Sequence, residues 1–141
     1  MKWLNAIIKR AFDIHMRKVL RDMQEPANIQ EQTLFDLLKK CSKTEFGKRY
    51  DFNSIKSVTT FQQRVPIHSY EELKPYIQRM MSGEKGVLYP GKTTYFSRSS
   101  GTTYNKSKYI PVPDENLRKC HLKGAHDAIA MWLSCDGMPL P

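Results

Sequence analysis

Cysteine is scarce in this sequence, with three in 141 residues, Cys41, Cys120 and Cys135. So small and odd a number does not build a disulfide framework and points to a reducing compartment. Metal-ligand spacing is lacking too. Cys120 and His121 are neighbours about 100° apart on a helix, and His126 lies about 140° further round, so none converge as i, i+4 ligands do and no metal site is expected. No apolar run approaches the ~20 residues of a membrane span. Lys9, Arg10 and Asp13 interrupt what would be the apolar region of a signal peptide, so a cytoplasmic chain is expected. Acidic residues are also in deficit, 14 Asp and Glu against 23 Lys and Arg, for a net charge of +9. That balance favours anionic partners. The basic residues are scattered, without an arginine-rich run or an RNP1 pattern, so a solvated basic surface is expected rather than nucleic-acid binding. Internal repeats and low-complexity tracts are absent. A hydrophobic content of 40% supports one modest domain with its own core.

The amino-terminal half reads as helical. Residues 2 to 24 put Trp3, Leu4, Ile7, Ile8, Ala11, Phe12, Met16 and Val19 on one broad face, a width that suits packing against protein better than lying on a membrane. Pro26 stops that helix. A second, from about Ile29 to Lys43, buries Leu34, Leu37, Leu38 and Cys41 and is expected to pair with the first. Thr44 to Asn53 reads as irregular, with Gly47 available as a left-handed residue and with Tyr50 and Phe52 as core anchors. Thr59 or Thr60 is expected to cap a short helix that Val65-Pro66 ends. Ser69-Tyr70-Glu71-Glu72 is a capping box. Pro75 then implies a turn and a new helix to about Met81, closed by Gly83. Met80 and Met81 read as core fillers.

From Gly86 the pattern turns to short β-prone runs, Val87 to Tyr89, Thr93 to Ser97 and Ser107 to Val112. Asp114 then caps a helix to about Leu133, with Leu117, His121, Ala125 and Ala128 as a candidate face. Between the last two runs lies Ser99-Ser100-Gly101-Thr102-Thr103, four hydroxyls around one glycine, followed by Lys106 and Lys108. Glycine lets backbone N–H groups close around an anion, hydroxyls donate to phosphate oxygens, and a lysine adds a mobile charge. The composition is that of an anion cradle on a strand–loop–strand, although a loop of this composition is more often just a polar turn. It is neither a Walker A loop nor a Gly-x-Gly-x-x-Gly turn, and no Gly-x-Ser-x-Gly elbow is present.

With Phe46-Gly-Lys-Arg-Tyr-Asp-Phe, Val65-Pro66-Ile67, Ser69 to Ile77 and Ser107-Lys108-Tyr109-Ile110-Pro111, this loop resembles the acyl acid amido synthetases. These form the auxin-responsive-promoter (Gretchen Hagen) family within the luciferase-like adenylate-forming superfamily. The likeness runs along nearly the whole chain and places it at the amino-terminal end of that family.

The resemblance implies an α/β fold, with amino-terminal helices leading into the first strands of an incomplete adenylate-forming, acyl-CoA synthetase-like large domain. Residues 1–83 would be mainly helical, and 84–141 would carry the strands, the phosphate loop and the following helix. Alone, the sheet would leave an unpaired edge. It also implies a ligase that adenylates a carboxylic acid with ATP and Mg2+ and passes the acyl group to an amine or amino acid. Ser99, Ser100, Gly101, Thr102 and Thr103 would be the phosphate loop. Lys106 or Lys108 would supply its charge, with Lys108 ranked first, and Arg98 would be a second cation or, more commonly, a solvated strand residue. Arg118, His121 and Leu122 are the candidates for the acyl pocket, with a packed, hydrogen-bonded role the commoner one for His121. The family's later motifs and carboxy-terminal domain have no counterpart before Pro141, so the chain alone is expected to be inactive and to need that remainder. The competing expectation is a non-catalytic truncated relative, a basic interaction or nucleotide-binding module.

Overall fold

The computed structural model describes residues 2–100 and 107–134, and the chain divides into two units, residues 31–114 and residues 1–30 with 115–141. It is mostly helical with one small sheet.

In the unit of residues 31–114, helix α2 (Pro26–Cys41) delivers Leu38 to a core with Phe52 and Ile55, flanked by Leu34, Phe35, Cys41, Phe46, Tyr50, Phe61 and Val65. Burying each large apolar side chain contributes about 1.5–3 kcal/mol, so this cluster anchors the unit. Pro26 does not merely end the preceding helix. It opens α2 as its first residue, where a missing N–H leaves no intrahelical bond unmade. The stretch read as irregular contains a short helix, α3 (Glu45–Arg49), and a 3-10 turn over Phe52–Ser54. Thr44 caps α3: its fully buried hydroxyl donates to the Cys41 carbonyl at 2.7 Å and accepts from Gly47 N–H at 3.0 Å. Gly47 is therefore helical, not left-handed. It is glycine because the chain passes so close that a Cβ there would lie 2.0 Å from the Cys41 carbonyl oxygen.

Helix α4 (Val58–Arg64) is capped by Ser57, whose Oγ accepts from Thr60 N–H, and not by Thr59 or Thr60. Helix α5 (Tyr70–Met81) carries the expected capping box at Ser69 and Glu72. The Ser69 backbone N–H, and after it the Ser69 hydroxyl, hold the Glu72 carboxyl below its usual range. Pro75 does not divide α5, because the capped first turn already fixes the helix and the ring displaces only one backbone bond. At the far end Gly83 (φ +91°) gives a Schellman closure, with Gly83 N–H on the Met80 carbonyl and Glu84 N–H on that of Arg79. Met80 is core, as expected, whereas Met81 is 45% exposed.

Residues 87–89 are not a strand. Gly86 and Val87 instead turn their carbonyls to the N–H groups of Glu45 and Phe46, satisfying donors that open α3. Arg79 ties the same region together, bonding the carboxylates of Glu45 and Glu84. Strands β1 (Tyr95–Arg98) and β2 (Tyr109–Val112) form an antiparallel hairpin with Tyr95 opposite Val112 and Arg98 opposite Tyr109.

In the other unit, α1 (Lys2–Asp22) packs on α7 (Lys123–Ser134), so the long-range partner of α1 is α7. A one-turn α6 (Asp114–Asn116) and a π-helical turn, Leu117–Leu122, lead into α7 without a break. The residues α7 buries are Ala130 and Leu133, whereas His121, Ala125 and Ala128 of the expected face are exposed. On α1, Met16 is buried while Trp3 and Ile7 stay exposed. No helix among the described residues is long and apolar enough to cross a membrane.

Candidate functional site

The hairpin holds the serine-rich loop at both ends. Beyond the last strand pair, Ser99 N–H donates to the Lys108 carbonyl at 2.9 Å, and Lys108 N–H donates to Ser99 Oγ at 3.0 Å. This reciprocal pair pins the two ends of the loop and leaves the Ser99 hydroxyl proton free to donate elsewhere. Ser99 is half-buried and Ser100 exposed. Gly101, Thr102, Thr103 and Lys106 lie outside the described residues.

Lys108 is positioned by α5. Its ammonium sits 5.4 Å from the ring centroid of Tyr70, and Tyr109 N–H donates to Tyr70 Oη at 3.0 Å. Tyr70 is the first residue of α5, inside the Ser69–Glu72 capping box, so the cap that fixes the helix start also fixes the ring beneath the lysine. A cation over an aromatic face gains about 0.5–1 kcal/mol at an exposed site, enough to bias the Lys108 side chain without immobilising it. Arg98, at the end of β1, is exposed.

Tyr70 is the residue that sequence reasoning missed here. Its capping box was legible, but nothing in the local pattern shows that its hydroxyl reaches a backbone N–H 39 positions away. The acyl-pocket candidates Arg118, His121 and Leu122 all lie on the π-helical turn, and all are exposed, Leu122 at 60%. The structure gives His121 no buried, hydrogen-bonded role.

A groove of about 340 Å³ lies beside the start of the hairpin, between the end of α5 (Met81, Ser82, Gly83) and Lys92, Thr93, Thr94 and Phe96. The Thr93 hydroxyl, buried in its wall, has no hydrogen-bond partner among the described residues.

A chain whose capped helix carries an aromatic ring to the base of a serine-rich hairpin loop belongs, by comparison with known proteins, to the GH3 family: the family's N-terminal domain matches residues 15–135. Among its relatives, indole-3-acetic acid-amido synthetase GH3.2 of Arabidopsis thaliana is 35% identical over 112 residues, which cover 78% of this chain and 20% of the relative. Jasmonoyl–L-amino acid synthetase JAR6 of Nicotiana attenuata is 35% identical over 120 residues, 82% of this chain and 20% of the relative. The chain thus spans about a fifth of the length of these relatives. The auxin-responsive-promoter resemblance is thereby shown, and the family is one of acyl acid amido synthetases.

Proposed function

We propose that this chain is the amino-terminal part of an ATP-dependent acyl acid amido synthetase, and that the loop from Ser99 to Lys108 holds the phosphates of ATP. The observation that carries this reading is the Ser99–Lys108 clamp, which brings a donor hydroxyl and an ammonium group to one loop base in a family of amido synthetases. In the reaction, a carboxylate oxygen attacks the α-phosphorus of ATP and pyrophosphate leaves. An amine nitrogen then attacks the acyl carbon of the adenylate, forming the amide and releasing AMP. Charge builds on the departing pyrophosphate, and positioned donors and cations lower the barrier most where charge develops. Ser99, Ser100, Thr102, Thr103 and the backbone around Gly101 would donate there, with Lys108, ahead of Lys106, supplying the charge. Arg118, His121 and Leu122 remain the candidates for contact with the acid.

The stretch from Tyr95 to Val112 contains no Asp or Glu, so it offers no carboxylate for Mg2+. Any ion accompanying the triphosphate would take its protein ligands from elsewhere. The adenylate-forming large domain is the fold this reading requires, with β1 and β2 as its first strands, and a cytoplasmic setting fits it. The remainder of such an enzyme would cover apolar groups left outside, such as the fully exposed Ile67.

A segment exchange tests the proposal. Residues 15–135 of this chain replace their counterpart in the Arabidopsis indole-3-acetic acid-amido synthetase, and acid-dependent ATP–pyrophosphate exchange is measured. Exchange above background that falls at least tenfold on Lys108→Ala supports the reading. A folded chimera whose exchange is indifferent to Ser99→Ala and Lys108→Ala would refute it.

A further inference from the structure

Outside the loop, one cluster on the α1–α7 pair is built from metal-ligating side chains. His15 comes from α1, and His126 and Asp127 come from α7, and one donor atom from each lies within 4.8 Å of the other two. His15 Nε2 is 2.6 Å from Asp127 Oδ1 and 3.3 Å from His126 Nδ1. We propose that these three residues form a binding site for a divalent transition metal of the zinc type, clipping α1 to α7.

Three observations carry the assignment. The first is the hydrogen-bond count. His15 Nε2–H can serve Asp127 Oδ1, but His126 Nδ1 then faces a nitrogen whose one proton is already directed at the carboxylate. Three acceptor-capable atoms converge on one point with too few protons between them, and a cation resolves that convergence. The second is size. Ligands about 2.0–2.1 Å from a tetrahedral ion stand roughly 3.3–3.4 Å from one another. The two histidine nitrogens, 3.3 Å apart, already have that spacing, and the Asp127 oxygen, 2.6 Å from His15 Nε2 and within 4.8 Å of the His126 donor, reaches it by a change of side-chain torsion. The third is support around the ligands. Lys123 Nζ holds the other oxygen of Asp127 at 2.7 Å, which fixes the carboxylate and leaves Oδ1 pointing at the histidines. The Phe12 ring lies 5.1 Å from the His126 ring, and the His15 ring meets His126 edge-on at 4.4 Å, which fixes both imidazoles.

Two imidazoles and one carboxylate suit zinc, cobalt or nickel better than magnesium or calcium, which prefer all-oxygen shells. Among the described residues three protein ligands are offered, so the fourth position would take water. The site is reachable from solvent, with His15 and Asp127 about one-quarter exposed and His126 exposed. The ordinary alternative is a His–Asp ion pair between helices, and it makes a different prediction.

The test is calorimetric titration of the untagged chain with Zn2+, paired with visible spectroscopy on adding Co2+. Expected are one equivalent of Zn2+ bound in the micromolar range, cobalt d–d bands without a thiolate charge-transfer band, and a melting temperature raised by Zn2+. His15→Ala, His126→Gln and Asp127→Asn should each weaken binding at least tenfold, and Cys120→Ser should leave it unchanged. His126→Gln alters an exposed side chain and keeps the test valid if His15→Ala fails to fold. No binding by the folded native chain, a thiolate band, or unchanged affinity in folded His126→Gln would overturn the proposal.

Discussion

Gly47 shows how one residue decides a local architecture. The sequence offers a glycine in a stretch without clear periodicity, and the natural reading is a left-handed turn residue. In the structure its backbone lies against the Cys41 carbonyl inside a five-residue helix, and the missing Cβ is what lets the two segments meet. Gly47→Ala is therefore expected to destabilise the chain even though alanine favours helices, because the atom it would strike is backbone and has nowhere to go. Overpacking of this kind typically costs 1–3 kcal/mol or more. Urea unfolding measures it, and a variant as stable as the native chain would mean that α2 and α3 part without cost. The cap beside it was equally hidden. A threonine before Glu-Phe-Gly-Lys resembles any polar position until the buried hydroxyl is seen bridging Cys41 and Gly47. At Ser99 and Lys108, by contrast, the residue types were legible as an anion cradle. What the sequence did not carry was the pairing of the two across the loop, which strand register alone determines.

At the scale of elements, the long periodic helices and the Ser69 capping box were readable because their signals are local, lying within one turn of the residues they act on. Pro75 misled. A proline five residues past the start argues for a break, yet α5 runs through it from Tyr70 to Met81. A proline inside a helix forfeits a backbone bond and presses on the carbonyl of residue i−4, here Glu71. Pro75→Ala is thus expected to raise stability by about 1–3 kcal/mol, with the gain from the restored bond partly offset by a more flexible unfolded chain. Equilibrium denaturation measures the gain, and a loss would show that the proline ring contributes packing that outweighs the missing bond. The face of α7 was misjudged for a different reason. Leu117, His121, Ala125 and Ala128 share a stripe under regular α geometry, but the π-helical turn over Leu117–Leu122 takes Leu117 and His121 out of that stripe, and within α7 burial falls on Ala130 and Leu133 rather than on Ala125 and Ala128. The His15–His126–Asp127 cluster was invisible for the most general reason. Its members are 111 and 112 residues apart in sequence, and metal-ligand spacing along one helix says nothing about a partner on another.

Across the molecule, the unit of residues 31–114 is held at its surface by Arg79, which joins Glu45 beside the start of α3 to Glu84 beyond the end of α5. Hydrogen bonds from Arg79 hold both carboxyls below their ordinary value of 4.5, and the two acids in turn raise the guanidinium. A carboxyl whose folded pKa is depressed contributes stability that is fully present above its unfolded pKa and is lost as pH falls through the folded one. The melting temperature is therefore expected to decline as pH drops below about 4.5, and less steeply in Arg79→Gln. Parallel declines would show that these ion pairs do not couple to folding, as many exposed pairs do not. The basic balance of the whole chain agrees with an anionic ligand without locating it, and the proposal places that ligand at the loop of residues 99–108. That loop holding the phosphates of ATP is the central claim, and calorimetric titration of the 141-residue chain with Mg·ATP tests it most directly, comparing the native chain with a Ser100→Ala, Lys108→Ala variant. The expected result is weak binding by the native chain that the variant loses. Binding of equal strength in a folded variant would contradict the claim.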